Sequence, residues 1–219
     1  MWGLLFRMPW WAYFILGPLL LIGGGYAYFD YSQEVAAKTA AAKRAPPAPV
    51  PIESIDPKRS IAGVKEVVAL AQVDLEHAME MTESKRGVER HHWTVAPIYP
   101  TNASDPAAPA IGAMVHDGKV DDSQLVSLMV GRGALGPVMK LDGIVTDDFS
   151  TTEAVTKALA GRVKLPANPI IIDTFVNGRQ AGLKPNEGGY VLAIVAAVAG
   201  LFAIGFGFYR RADRVMSYE

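Results

Sequence analysis

Two uncharged stretches decide the fold of this chain. Residues 8–29 read MPWWAYFILGPLLLIGGGYAYF, and residues 188–209 read GGYVLAIVAAVAGLFAIGFGFY. As a helix, each stretch would be about 33 Å long, which is enough to cross a bilayer core of about 30 Å. Two buried helices of a large soluble protein are the alternative, but uncharged runs longer than about 18 residues are typical of membrane spans. The sequence therefore predicts two transmembrane helices.

Aromatic and basic residues stand at the ends of both spans. Trp10 and Trp11 lie at the start of the first span, Tyr190 lies at the start of the second, and Arg210 and Arg211 follow the second. Amphipathic rings concentrate at membrane–water interfaces, and long basic side chains reach toward them. We predict that these five residues anchor the spans at the membrane surface.

The short flanks of the spans predict the orientation. Arg7 precedes the first span and three arginines follow the second, whereas residues 30–187 are mildly acidic. Because short basic flanks stay in the cytoplasm, residues 1–7 and 210–219 are predicted to be cytoplasmic and the middle segment periplasmic, in a bacterial or mitochondrial inner membrane. The first span exceeds the usual apolar core of a signal peptide, about 7–15 residues, so we expect an uncleaved anchor.

The middle segment divides into a linker and a domain. Residues 30–59 hold an Ala- and Lys-rich stretch, expected to continue the first helix, and then alternating prolines that favour an extended chain. Residues 60–187 have the size of one domain and contain five or six predicted strands with one or two short helices. The predicted fold class is α+β: two transmembrane helices flank a small mixed β-barrel or sandwich-like domain outside the cytoplasm.

Local patterns place the elements of this domain. Residues 66–81 are ambiguous between strand and helix, with alternation around Val73 favouring a strand in the second half. Thr151 or Thr152 is expected to cap a short helix that ends at Gly161, and Gly143 is a possible bulge. Residues 124–130 fit a strand or a short helix. Further strands are predicted at 92–99, 111–115, 138–145 and 169–176, the last followed by an Asn177–Gly178 turn.

Composition excludes several classes of function. The 219 residues include 21 Lys and Arg against 22 Asp and Glu, so there is no basic excess with which to bind nucleic acid. The absence of cysteine excludes disulfides, thiolate metal sites and cysteine nucleophiles. Half of the residues are hydrophobic, which is incompatible with an intrinsically disordered chain.

No catalytic motif is visible. The histidines lack zinc-binding spacing, and the adjacent His91 and His92 would face opposite sides of a strand. The glycine-rich residues 131–136 lack the Lys-Ser/Thr of a phosphate loop and are interpreted as a turn. We predict no enzyme activity, catalytic residue, cofactor or metal site; the alternative is a metal or haem site that uses histidines and nearby acids. The histidines and acids that are candidates for metal binding or acid–base chemistry are His77, His91, His92, His116, Asp121, Asp122, Asp147, Asp148 and Asp173.

The second span carries small residues at helical spacing. Small residues four positions apart allow another helix to approach closely. That helix could be the chain's own first span, a span of a partner complex, or a second copy of the chain. The candidate packing residues are Ala193, Ala196, Ala197, Gly200, Ala203 and Gly17.

The order of several short motifs resembles the Surfeit-locus-1 family of cytochrome oxidase assembly factors. The motifs are VAPI at 95–98, VGRG at 130–133, LDGIV at 141–145, a short helix at 153–159, IIIDTF at 170–175 and NEGGY at 186–190. Two positions depart from the family, because Ala134 replaces a tryptophan and Glu187 replaces a histidine implicated in haem handling. The resemblance implies a scaffold-like assembly factor or accessory subunit of a respiratory complex, with other membrane subunits and the lipid bilayer as partners.

Overall fold

A computed structural model of the chain describes residues 8–56, 64–85, 88–118, 126–185 and 188–216. The chain divides into two compact units, residues 1–37 with 185–219 and residues 38–184. Helix α1 spans Trp10–Ala42, and helix α4 spans Gly188–Met216. Both helices run longer than the uncharged stretches, and α1 continues through the predicted extension before the prolines.

Residues 38–184 form an α+β domain, as predicted. The short helices are α2 (Phe149–Leu159) and α3 (Arg179–Gly182), and a single 3-10 turn covers Ile52–Ser54. The strands are β1 (Val50–Pro51), β2 (Glu66–Val73), β3 (Met79–Lys85), β4 (Val88–Tyr99), β5 (Gly112–Asp117), β6 (Met129–Arg132), β7 (Pro137–Thr146) and β8 (Ile170–Thr174).

Five of the strands close into a barrel in the order β2-β4-β5-β8-β7, with β7 returning to β2. The β5–β8 pair is parallel, and the other four pairs of the ring are antiparallel. The sequence leaves open a barrel or a sandwich for this domain, and the structure is a barrel. This is a small Greek-key barrel, an architecture also seen in OB-folds. Strand β3 extends the sheet beside β4, and β6 pairs with the start of β7.

Alternate residues of the five strands fill the barrel interior. Alanines on β2 and β4 face large side chains on β7 and β8, so small and large residues complement each other at high packing density. The fully buried members are Ala69, Ala71, Val73, Ala96, Ile98, Met114, Met139, Leu141 and Ile172.

The proline-rich segment ends inside the barrel unit. Val50 and Pro51 pair with Ala69 and Leu70 of β2, and Ile52 is completely buried in the barrel core. The compact unit therefore begins before residue 60, where the sequence places the start of the domain.

Three local predictions differ from the structure. In residues 66–81 the first half is strand β2, and the predicted strand after Val73 is interrupted until β3 begins at Met79, because the Asp74 carboxylate accepts a hydrogen bond from the His77 backbone N–H at 3.1 Å and turns the chain. Gly143 forms no bulge but pairs regularly with Thr174, and a side chain there would strike the Asp173 carbonyl. The cap of α2 is Asp148, whose carboxylate accepts from Thr151 N–H at 2.9 Å, rather than a threonine.

Other predictions agree with the structure or lie outside it. In the glycine-rich stretch, residues 133–136 form the turn between β6 and β7, whereas Gly131 and Arg132 belong to β6. Asn177–Gly178 forms the turn after β8, with Gly178 at φ +81°. Residues 126–128 are helical and β6 follows them. Arg7, Asp121, Asp122, Gln124, Asn186 and Glu187 lie outside the described residues.

Candidate functional site

Helices α1 and α4 are long and apolar enough to cross a membrane. Over the most apolar 18 residues of Trp10–Ala42 and of Gly188–Ala212, the mean hydropathies are 1.5 and 2.5. The helices pack antiparallel, because the start of α1 meets the end of α4 and the reverse holds at the other end. Tyr13 meets Phe206 with ring centroids 5.2 Å apart, and Tyr31 meets Tyr190 at 4.4 Å.

The small residues predicted for helix packing lie at the contact between α1 and α4. A Cβ at Gly17 would be 2.9 Å from the Gly200 carbonyl oxygen, and a Cβ at Gly24 would be 3.1 Å from the Cβ of Ala196. Ala193 and Ala203 are buried, and Ala197 is half-buried beside Gly24. This strip is therefore covered within the chain, and a partner helix would meet other faces of the pair.

The predicted interface residues fall at the two ends of the helix pair. The Arg211 guanidinium lies 5.5 Å from the Trp10 ring centroid, and that of Arg210 lies 5.6 Å from the Phe206 ring centroid. Trp11 is about half exposed. Tyr190 packs on Tyr31 at the opposite end. Their role as membrane anchors stays a prediction.

An engineered disulfide tests this helix pairing. The chain has no cysteine, so the double variant Gly24→Cys/Ala196→Cys contains one cysteine pair. We expect oxidation to close it within the monomer, because the short Cβ separation is near the range of about 3.5–4.5 Å found in disulfides. Non-reducing gel mobility and mass spectrometry measure closure. The control is Gly25→Cys/Ala196→Cys, since a Cβ at Gly25 meets no atom within 4 Å; equal closure of both pairs, or a disulfide-linked dimer, would contradict the pairing.

A concave apolar surface runs along the same helix pair. This groove, which we call the span groove, has a volume of about 500 Å³. Residues of both helices line it, including Tyr13, Leu16, Leu20, Val198 and Phe202.

A second groove lies on the barrel unit, between α2 and the outer face of the sheet. This barrel groove has a volume of about 330 Å³. Its apolar walls come from β3, β4 and β5 on one side and α2 on the other, and include Met81, Trp93, Val95, Val115 and Val155. A concave site with apolar walls and few polar groups is the usual form of a small-molecule site.

The barrel groove also has four polar lining residues, one of which is Thr146 at the end of β7. Ser150 and Thr151 come from the first turn of α2, and Asp173 comes from β8. Although Asp173 is exposed as a residue, desolvation against the groove raises the pKa of its carboxyl, and the negative charge of Asp117 raises it further. A carboxyl with a raised pKa in a cleft is typical of binding and catalytic sites.

A third, more polar groove of about 630 Å³ lies among the loops of the barrel unit. Asp74 and His77 line it and approach each other to 2.7 Å, and the turn before β7 forms another wall. Burial raises the pKa of the Tyr99 hydroxyl at this groove, and the charge of Asp74 adds to the effect. The facing cations Arg162 and Lys164 are solvent-exposed, so this groove has a mixed charge and no convergent set of ligands.

The histidines do not converge on one site. His91 stacks on Trp93, His92 lies 3.2 Å from the Thr82 hydroxyl and 3.4 Å from Glu80, and His116 is buried in the barrel. Within the described residues there is no group of three His, Asp or Glu side chains that could hold a metal ion. Asp147 pairs with Lys65, and Asp148 caps α2.

His116 forms a hydrogen-bonded chain inside the barrel. Its Nδ1 lies 2.9 Å from the Thr174 hydroxyl, which itself donates to the Val115 carbonyl at 3.1 Å. The Thr174 hydroxyl donates its proton to the Val115 carbonyl, so it can only accept a hydrogen bond from His116. A neutral His116 must therefore carry its proton on Nδ1. Burial lowers the pKa of the ring, and the charge of Asp117 only partly opposes this.

This arrangement predicts a pH dependence of stability. The unfolded state, with the ordinary His pKa of 6.5, binds a proton at a higher pH than the folded state. Stability is therefore lost as the pH falls below about 6.5 and further toward the folded pKa. His116→Asn keeps a donor for Thr174 but cannot titrate, so thermal unfolding of the full chain between pH 7.5 and 5 should be less acid-sensitive in the variant. Parallel curves would contradict the prediction.

Arg179 joins three parts of the barrel unit. Its guanidinium pairs with both carboxylate oxygens of Glu66, and it donates to the carbonyl oxygens of Ala41 at 2.7 Å and Arg44 at 3.0 Å. The pKa of the neighbouring Asp142 is raised by burial and then by the charge of Glu66. The sequence carries no signal for this cluster, since Glu66 and Arg179 are 113 residues apart.

No family model, no curated protein and no solved structure matches the chain. The two helices that can span a membrane, the barrel and its grooves are therefore the observations on which a function can be based.

Proposed function

We propose that this chain is a two-pass inner-membrane protein without enzyme activity that acts as an accessory subunit or assembly factor of a membrane complex. Its resemblance to the Surfeit-locus-1 family makes a respiratory complex of the cytochrome oxidase type the first candidate. Both termini would lie in the cytoplasm and the barrel in the periplasm, following the basic flanks of the spans.

The span groove is the observation that carries this proposal. In lipid there is no hydrophobic force between helices, so their association depends on close packing and shape. The small-residue strip is already covered by the contact of α1 with α4. The groove beside it offers a concave apolar surface of about 500 Å³, and we expect a helix from a partner subunit to pack against it.

Co-purification with a matched pair of variants tests the proposal. Val198→Trp adds a bulky ring at the groove, whereas Leu19→Trp makes a similar change at an exposed position, 60% accessible, that does not line it. With mild detergent extraction and quantitative mass spectrometry, we expect partner subunits with the wild type and Leu19→Trp, and about tenfold less with Val198→Trp. Recovery of the wild type alone, or equal losses with both variants, would count against the proposal.

Cysteine labelling tests the proposed orientation, because the chain has no background thiol. Lys157→Cys places a thiol on the exposed surface of α2, and Ser217→Cys places one in the C-terminal tail. A membrane-impermeant maleimide should label Lys157→Cys in intact spheroplasts and Ser217→Cys only after permeabilisation. The reverse pattern would invert the proposed topology.

Ligand binding by the barrel unit is the second candidate function, and the barrel groove favours it. Metal or haem binding by the histidines would be indicated by stoichiometric loading of the purified protein that His→Ala substitutions remove. A homo-oligomeric scaffold would be indicated if crosslinks through the Ala196–Gly200 face joined two copies of the chain.

A further inference from the structure

The barrel groove borders an outward-facing patch that combines an aromatic ring with two carboxylates. Trp93 on β4 is directly opposite Asp117 on β5, and Asp173 on β8 is opposite Val115 on β5. Since Met114 and Ile172 point into the barrel core, alternation along the strands turns Trp93, Asp117 and Asp173 outward. The three side chains therefore share one face of the sheet.

Helix α2 completes this face as a pocket. Ala154 and Val155 lie across from Met81 and Trp93, and the enclosed volume is about 330 Å³. Pockets for small organic molecules have about 300–1,000 Å³, so the groove fits a molecule at the small end of that range. One face of Trp93 is covered by His91, which stacks on it at 5.5 Å with the rings 14° from parallel.

The electrostatic character of the patch is negative. Asp117 and Asp173 lie on neighbouring strands and repel each other, and this repulsion adds to the larger effect of desolvation in raising the pKa of Asp173. The charge of Lys38 lowers the pKa of Asp173, but this effect is smaller than the increase caused by Asp117. Within the described part of the chain, neither carboxylate forms an ion pair with a basic side chain.

We propose that the barrel groove binds an organic ammonium ion, with its apolar body against Trp93 and Met81 and its cationic head at Asp173. A cationic head would relieve the repulsion between the two carboxylates. An anion would add to that repulsion, and a neutral ligand would desolvate Asp173 without compensating its charge. This inference is independent of the proposed role in a membrane complex, because it concerns the barrel unit alone.

Two probes, one cationic and one neutral, test the proposal. 3-Phenylpropylammonium and 3-phenyl-1-propanol share an apolar body and differ in the ammonium and hydroxyl heads. Each is titrated into the full chain in phosphatidylcholine nanodiscs while the indole N–H signal of Trp93, assigned with Trp93→Phe, is followed by NMR. We expect the ammonium ion to saturate the shift with a dissociation constant at least about tenfold lower than that of the alcohol.

Matched variants separate the charge from the shape of the groove. Asp173→Asn should raise the dissociation constant of the ammonium probe about tenfold and leave that of the alcohol unchanged, whereas Asp105→Asn, in the loop between β4 and β5, should change neither. Ala154→Leu, which narrows the groove from α2, should weaken both probes, and it keeps the test decisive if Asp173→Asn does not fold. Equal affinities for the two probes, equal effects of the two Asp→Asn variants, or no shift of Trp93 up to the solubility limit of the ammonium probe would overturn the proposal.

Discussion

Replacement of Arg179 by methionine should lower the free energy of unfolding of the barrel unit by about 3–5 kcal/mol, because breaking a buried ion pair leaves the partner charge without compensation. The Glu66 side chain is only 6% exposed, and that of Arg179 only 15%. Asp142 is close enough to Glu66 for the charge of Glu66 to raise its pKa, after the larger effect of burial, so the variant would leave Glu66 unpaired beside a second carboxyl group. The variant also loses the hydrogen bonds to the Ala41 and Arg44 carbonyls.

Two controls separate the loss of the buried Glu66–Arg179 pair from the general loss of a surface charge. Lys65→Met removes the partner of Asp147, whose side chain is 82% exposed, and exposed pairs contribute at most about 1 kcal/mol. The double variant Glu66→Met/Arg179→Met should recover much of the lost stability, since the buried Glu66 carboxylate would no longer be left without its partner. Denaturant unfolding of the full chain measures all three, and a loss in Arg179→Met no larger than in Lys65→Met would contradict the assigned role.

Replacement of Ile52 by alanine should cost about 2–5 kcal/mol, the range for truncating a fully buried aliphatic side chain. Ile52 directly follows the proline-rich segment and packs into the barrel core with none of its surface exposed. If residues 46–51 led into a flexible linker, the same truncation would have almost no effect. The experiment therefore asks whether this segment is part of the folded domain.

Val50→Ala is the matched control for Ile52→Ala. Val50 is two residues away and also aliphatic, but it is 37% exposed on the short strand β1, so we expect a cost below about 1 kcal/mol. Equal and small losses in both variants, measured by thermal or denaturant unfolding, would place Ile52 outside the core.

The sequence predicts the elements of this fold better than their arrangement. The spans and the strand at 169–176 are recognisable because uncharged length and apolar β-branched runs are local properties. The closure of the barrel is not local, since β2 pairs with β7 and β5 pairs with β8 across long sequence separations. Gly143 illustrates this limit. A glycine is needed there because the Asp173 carbonyl of another strand approaches closely, and no pattern in the sequence around residue 143 indicates that approach.

The candidate sites depend even more on the tertiary arrangement. The strands that carry Trp93 and Asp173 are predicted, but only the parallel β5–β8 pairing brings the two residues to one groove. In the sequence Asp173 is an isolated acid, because its spatial neighbour Asp117 is 56 positions away in the chain. The small residues of the second span are recognisable as a packing face, yet local sequence leaves open which helix they meet. In the structure they meet α1.

The place of β8 in the chain has a consequence for how the protein is made. The five-stranded ring cannot close until the ribosome has synthesised β8, which ends at Thr174, whereas β2 is already complete at Val73. About a hundred residues lie between these two points, and at a synthesis rate of roughly 5–20 residues per second they take roughly 5 to 20 s to make. During that interval the nascent barrel exposes unpaired strand edges, which are prone to aggregation. Cells that make this protein should therefore depend on a chaperone that holds the open sheet, and a circular permutant that begins at β8 should depend on it less.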